Sequence, residues 1–278
     1  MATTLVQDLI DSGIHFGQRA GSWNPKMGRY IYAKRNGIHV IDIRETVKGL
    51  LLAKKYISRT VADGKDVCFV GTKRQAREVI EMRVRDVGMH FVTERWLGGT
   101  LTNFRTIRSR LKRMEELETT EQNDNFASYS KKMESQLRRE MKKIKRNLDG
   151  IRHMDKLPGV LIIIDVKREM NALREARKLG IPTVCLIDTD GDPEVADIAI
   201  PGNDDSMRSI DVVVRELCAA IAEGKQQRQA RPAAGEGGEE GGEGRARRSR
   251  RSQYRADDAG APADEPAPED AGAAVSPQ

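Results

Sequence analysis

Two carboxylates, Asp188 and Asp190, follow directly on the apolar run Thr183 to Ile187. Aspartates in that position suit a magnesium-dependent phosphotransferase, in which one attacks phosphorus and the other handles the proton. The next residues, Gly191-Asp192-Pro193, read equally as a turn leading into a helix cap. Asp188, Asp204 and Asp205 also make a set of carboxylates that could hold a zinc or magnesium ion, with His15 as a further ligand if the N-terminal segment folds back over the sheet. Gly71-Thr72-Lys73 belongs to neither G-x-x-x-x-G-K-[ST] nor G-x-G-x-x-G, so it reads as a strand-to-helix turn with a basic start rather than a phosphate loop. Neither G-x-S-x-G nor a hydrolytic triad is present, and His15, His39, His90 and His153 stand in unrelated contexts. No catalytic constellation recommends an enzyme.

A different chemistry is written in the segments Trp23-Asn24-Pro25-Lys26-Met27-Gly28-Arg29-Tyr30 and Arg95-Trp96-Leu97-Gly98-Gly99-Thr100-Leu101-Thr102-Asn103-Phe104-Arg105. They interleave cations with planar side chains and glycines. RNA binding uses such parts, pairing charge with phosphates and stacking rings on bases, although both tryptophans would serve equally well as core anchors.

The elements that must carry these residues follow from the apolar pattern. Val67 to Gly71, His90 to Val92, Val160 to Asp165, Thr183 to Asp188 and Ile198 to Ile200 are runs with little alternation, as in a parallel sheet covered on both faces. Helical patterns over Thr72 to Val87, Glu169 to Leu179 and Asp205 to Ala222 separate them, giving a β-α-β order and a doubly wound α/β domain. Ahead of the sheet, Leu5 to Ser12 reads as a short helix ended by Gly13. Arg29 to Ile43 reads as two strands joined at Asn36-Gly37, and Asp42 and Thr46 flank the start of a longer helix.

One stretch does not fit a plain α/β domain. Leu101, Phe104, Ile107, Leu111, Met114 and Leu117, and after a polar link Met133, Leu137, Met141, Ile144, Leu148 and Ile151, recur at threes and fours, the pattern of an antiparallel coiled-coil hairpin. Residues 94–157 hold sixteen basic and ten acidic side chains, which is most of the positive excess ahead of Gly224. The expected division is therefore an α/β domain over 1–93 and 158–224, an inserted hairpin over 94–157, and a disordered low-complexity tail over 225–278. That tail offers few apolar side chains to bury and has nine basic against ten acidic residues.

Over the whole chain of 278 residues the formal net charge is +6, so the location of the excess says more than its size. Cys68, Cys185 and Cys218 lie far apart in apolar runs and read as reduced, buried thiols of a cytoplasmic protein. No apolar run is long enough to cross a bilayer.

Asp11-Ser12-Gly13-Ile14-His15-Phe16-Gly17, Trp23-Asn24-Pro25-Lys26-Met27, Phe69-Val70-Gly71-Thr72-Lys73, Arg95 to Asn103, Gly180-Ile181-Pro182 and Ile200-Pro201-Gly202-Asn203-Asp204-Asp205 together resemble the bacterial small-subunit (30S) ribosomal protein S2 family, over about Thr4 to Gly224. The resemblance implies a flavodoxin-like or Rossmann-like domain with an inserted coiled-coil hairpin, without enzymatic activity. It further implies attachment to 16S ribosomal RNA in the small subunit, in support of translation, and help in anchoring ribosomal protein S1. Members commonly carry a second histidine after His-Phe-Gly, where this chain has Gln18. The expected RNA contacts are Lys26, Arg29, Lys34, Lys73, Arg74, Arg95, Trp96, Arg105, Arg108 and Arg110, with Trp96 and Phe104 also fixing the base of the hairpin. Two alternatives stay open: a transient RNA-binding assembly factor, and a phosphotransferase using Asp188 and Asp190.

Overall fold

Five short strands, β4 (Val67–Val70), β5 (His90–Val92), β6 (Val160–Ile164), β7 (Thr183–Ile187) and β8 (Ile198–Pro201), are joined by crossovers into a parallel sheet. Their order is β5-β4-β6-β7-β8. Numbered within the sheet this is 2-1-3-4-5, the flavodoxin-like doubly wound arrangement. All residues of β4, β6 and β7 are buried, which explains their near-continuous apolar sequence: helices cover both faces. The computed structural model describes residues 2–123 and 130–230. These lie in one compact unit, Met1–Ala234.

One sheet face packs on α2 (Ile43–Ala62), α3 (Arg74–Asp86) and α7 (Met207–Ala230), with Leu50, Ile57, Phe69, Ile80, Val213 and Leu217 in a common core. Gly49 is where α2 meets β8 most closely, since a Cβ there would run into the Ala199 carbonyl oxygen. The opposite face carries α6 (Met170–Leu179) and the base of the inserted hairpin, around Val70, Leu161, Ile163 and Cys185. Local signals set the helix ends. Asp42 Oδ1 accepts from the Arg44 amide at 2.9 Å to start α2, and Gly180 closes α6 at φ 66°, a left-handed conformation that costs glycine little. Helix α7 runs to Ala230, beyond Gly224. The rest of the expected disordered tail, from 231, lies outside the described residues.

Before the sheet come α1 (Ala2–Asp11) and three antiparallel strands, β1 (Phe16–Arg19), β2 (Ile31–Arg35) and β3 (Ile38–Ile41), in the order β1-β3-β2. Asn36 and Gly37, at φ 48° and 75°, make the tight turn between β2 and β3. No strand is expected at β1 from its residues alone; Phe-Gly-Gln-Arg has only one apolar side chain and is placed by pairing with β3.

Between β5 and β6 the chain forms α4 (Phe104–Gln122) and α5 (Lys131–Leu148). Ion pairs from Arg138 to Glu121 and from Lys145 to Glu118 set them antiparallel, and beyond α5 Arg152 also reaches Glu118 and Asp155 reaches Arg108. A two-sided coiled-coil seam is not established. Helix α4 buries Ile107, Leu111, Met114 and Leu117, whereas α5 buries only Leu148 and leaves Met133 exposed. The link at 124–129 lies outside the described residues.

Candidate nucleic-acid interface and the acidic crevice

The hairpin's cations divide into two sets. Arg108 reaches Asp155 at 2.7 Å and donates to the Arg152 and Met154 carbonyls; Arg138, Lys145 and Arg146 reach Glu121, Glu118 and Glu94 at 3.7, 3.3 and 2.6 Å. These hold the two helices and their base together. By contrast, Arg105, Arg110 and Lys112 on α4 and Lys131, Lys132, Arg139, Lys142 and Lys143 on α5 are exposed and have no ion-pair partner among the described residues. Positions 132, 139 and 143 share one face of α5 by the three-to-four spacing of a helix. The expected contacts include Arg105, Arg108 and Arg110 but no cation of α5, whose residues enter the sequence reading only as net charge.

At the base of the hairpin one carboxylate gathers the loop that leads into α4. Glu175, on α6, accepts from Trp96 Nε1 at 3.1 Å and from the Gly99, Leu101 and Thr102 amides at 2.8, 3.0 and 3.1 Å, and also from the Thr102 hydroxyl. Burial alone would raise this carboxyl, but the donors outweigh it and hold Glu175 below its ordinary range. The glycine-containing loop, which by sequence could approach phosphate, thus presents its amides to the protein's own anion. Trp96 is 7% exposed and belongs to the core beside Leu101, Ile107 and Leu111.

The remaining expected contacts are scattered. Lys26 is held by Asp192 at 2.9 Å and Glu194 at 2.5 Å. Arg29 stacks over Tyr30 at 4.7 Å, and Trp23 lies against His39 with ring centroids 5.0 Å apart. Arg29, Lys34, Arg74 and Arg95 are exposed, without an ion-pair partner among the described residues. Lys73 is not at the surface.

Lys73 instead occupies the crevice at the carboxyl ends of the strands, beside the switch point between β4 and β6 where an open sheet binds ligands. Its ammonium reaches Asp204 at 2.5 Å, Asp205 at 2.6 Å and Asp165 at 3.5 Å. Burial would lower the lysine, but these carboxylates hold it above its ordinary value. Asp204 is 3% exposed; burial and Asp165 push it up to about 8 against the pull of Lys73. Asp188, 2% exposed, is pushed up to about 6, chiefly by burial. The neighbouring Thr72 gives both its amide and its hydroxyl to Glu169, and Arg168 donates to the same hydroxyl. A crevice with so many converging carboxylates repels phosphate.

Asp188, Asp204 and Asp205 bring oxygens within 4.8 Å of one another, so three of the four expected metal ligands meet; His15 is not in the group. The amide nitrogen of Gln18, on β1, donates to Asp205 at 2.5 Å and to Asp188 at 3.2 Å. In this arrangement the Lys73 ammonium and the Gln18 amide stand among the three carboxylates, so the ligand set is not open to a zinc or magnesium ion until both move. The paired-aspartate chemistry is not assembled either. Asp188 is enclosed and accepts from the Thr189 amide, while Asp190 pairs with Lys167 at 3.3 Å.

The chain is similar to known proteins over most of its length. The family model described as "Ribosomal protein S2" matches residues 9–224. "Small ribosomal subunit protein uS2" of Rhodopirellula baltica is 56% identical over 229 residues, covering 82% of this chain and 88% of the relative. The "uS2c" protein of Guillardia theta is 46% identical over 222 residues (80% of this chain, 94% of the relative), and uS2 of a Synechocystis strain is 46% identical over 225 residues (81% and 84%).

Proposed function

Because the chain belongs to the ribosomal protein S2 family, we propose that it is a structural protein of the small ribosomal subunit and not an enzyme. Its place is in that subunit in the cytoplasm, in support of translation. It holds 16S ribosomal RNA through the hairpin and neighbouring loops, and helps anchor ribosomal protein S1. The observation that carries the RNA reading is the set of eight exposed cations on α4 and α5 that no described carboxylate neutralises, while other cations of the same hairpin are matched. An arm that satisfied only itself would not keep such a surplus, and phosphate oxygens are its natural complement. The strand-end crevice, by contrast, is a ligand position of the fold filled by its own lysine and carboxylates, which agrees with fold not dictating function.

Binding of the purified full-length chain to 16S ribosomal RNA, followed across salt concentration, tests this. Phosphate neutralisation makes affinity fall steeply with salt, so equal binding at low and high salt contradicts the proposal. Sedimentation separates a resident protein from a transient assembly factor. A resident remains stoichiometric on small subunits through a high-salt wash, whereas a factor is lost.

A further inference from the structure

Helix α2 buries one face completely and displays a second that no other described element covers. Leu50, Ala53, Ile57 and Val61 are at most 2% exposed and join the core with α7 and β8. On the outer side, Arg44, Lys48, Leu51, Leu52, Lys55 and Arg59 recur at threes and fours, and all six are exposed. Leu51 and Leu52 are 53% and 57% exposed, in the middle of a 20-residue helix where a polar residue would serve the fold equally well. Cations flank the two leucines on both sides. Lys48 is matched by Glu45 at 2.5 Å, but Arg44, Lys55 and Arg59 have no ion-pair partner among the described residues. Lys55 and Arg59 also line a cleft between α2 and α7, in which Lys54 is already held by Glu216 at 2.7 Å.

We propose that this face of α2 docks an acidic polypeptide segment of another protein, which places an apolar side chain on Leu51 and Leu52 and its carboxylates against Lys55, Arg59 and Arg44. Charge complementarity selects the partner's sign. The leucine pair selects its class: nucleic acid gains from cations and from flat rings on which bases stack, and two aliphatic side chains at the centre of a patch offer it neither. A peptide helix or extended segment with one or two apolar anchors among carboxylates satisfies both features. The surface is separate from the cations of α4 and α5, so this proposal does not rest on the RNA reading.

The test places a photo-crosslinking benzoylphenylalanine at Leu52 of the full-length chain in growing cells and sequences the crosslinked partner peptide. The expected product is a different protein, joined through a segment with several Asp or Glu residues around an apolar side chain. Its yield should fall at least about tenfold in the double variant Lys55→Glu, Arg59→Glu, whose helix content and melting are checked to be unchanged. A crosslink to RNA, to a second copy of this chain or to a non-acidic segment overturns the proposal. So does the absence of any crosslink, or a yield indifferent to the double variant. Cosedimentation with small subunits is measured in the same cells, so a failure here is distinguishable from a failure of the ribosomal reading.

Discussion

Replacing Glu175 should loosen the root of the hairpin while leaving the α/β core in place. The carboxylate accepts from Trp96 Nε1 and from the Gly99, Leu101 and Thr102 amides. In Glu175→Ala, water can satisfy Gly99 and Thr102, which lie nearer the surface, but Trp96 and Leu101 are 7% and 2% exposed. Two buried donors left without an acceptor cost roughly 1 to 3 kcal/mol each, so the variant should lose about 2 to 6 kcal/mol. Glu175→Gln keeps one oxygen but turns an NH2 toward N–H donors, and should lose about half as much. Because the folded carboxyl lies below its ordinary value, its contribution is present above the unfolded pKa of about 4.3 and disappears as pH falls through the folded value. The gap between wild type and Glu175→Ala should therefore be full at pH 7 and narrow in acid. Urea unfolding followed by Trp96 fluorescence, in a Trp23→Phe background, gives the free energies. Hydrogen exchange of the Leu101 and Thr102 amides locates the change. A Glu175→Ala protein within about 0.5 kcal/mol of wild type at pH 7, with those amides still protected, would refute the claim that this side chain holds the loop leading into α4.

Three further outcomes are expected. Gly49→Ala should destabilise by about 1 to 3 kcal/mol in urea unfolding, because the new methyl group meets the Ala199 carbonyl where α2 crosses β8; an unchanged midpoint would show that the packing there is soft. Burial pushes the thiols of Cys68 and Cys218 up to about 12 and raises Cys185 further, so none should react with a thiol reagent at pH 8 until the protein unfolds, and fast labelling of any one would contradict its burial. Replacing Arg139, Lys142 and Lys143 with Gln should weaken binding to 16S ribosomal RNA and flatten the dependence of log affinity on log salt by roughly 0.7 to 0.9 for each phosphate that is no longer neutralised; an unchanged slope would place the phosphates elsewhere on the protein.

The sheet was legible because strands covered on both faces have to be apolar throughout, and the runs from Val67, Val160 and Thr183 say so without help from distant residues. The turn at Asn36-Gly37 and the cap at Asp42 were equally local. What the pattern could not give was any feature whose partners arrive from far along the chain. Lys73 reads as a surface cation until Asp204 and Asp205 come to it across 131 residues and more. Glu175 is one glutamate in an ordinary amphipathic helix, and only folding brings the loop of Gly99 onto it from 76 residues away. The apolar stripes of α4 and α5 have the same period, but the period does not say that the stripe of α4 is buried and that of α5 half open. Carboxylate convergence was partly readable: Asp188, Asp204 and Asp205 meet as expected, whereas His15 stands apart and Gln18 fills a place among them.

Ultraviolet crosslinking of purified small subunits, with the nucleotide adducts mapped onto this chain's peptides, tests the central claim most directly. Adducts should concentrate on Phe104–Gln122 and Lys131–Leu148, at peptides containing Arg105, Arg110, Arg139, Lys142 and Lys143. If the hairpin peptides carry no nucleotide, or crosslink only to other proteins, while RNA adducts fall on other parts of the chain, the basic arm does not hold the RNA and the account is wrong.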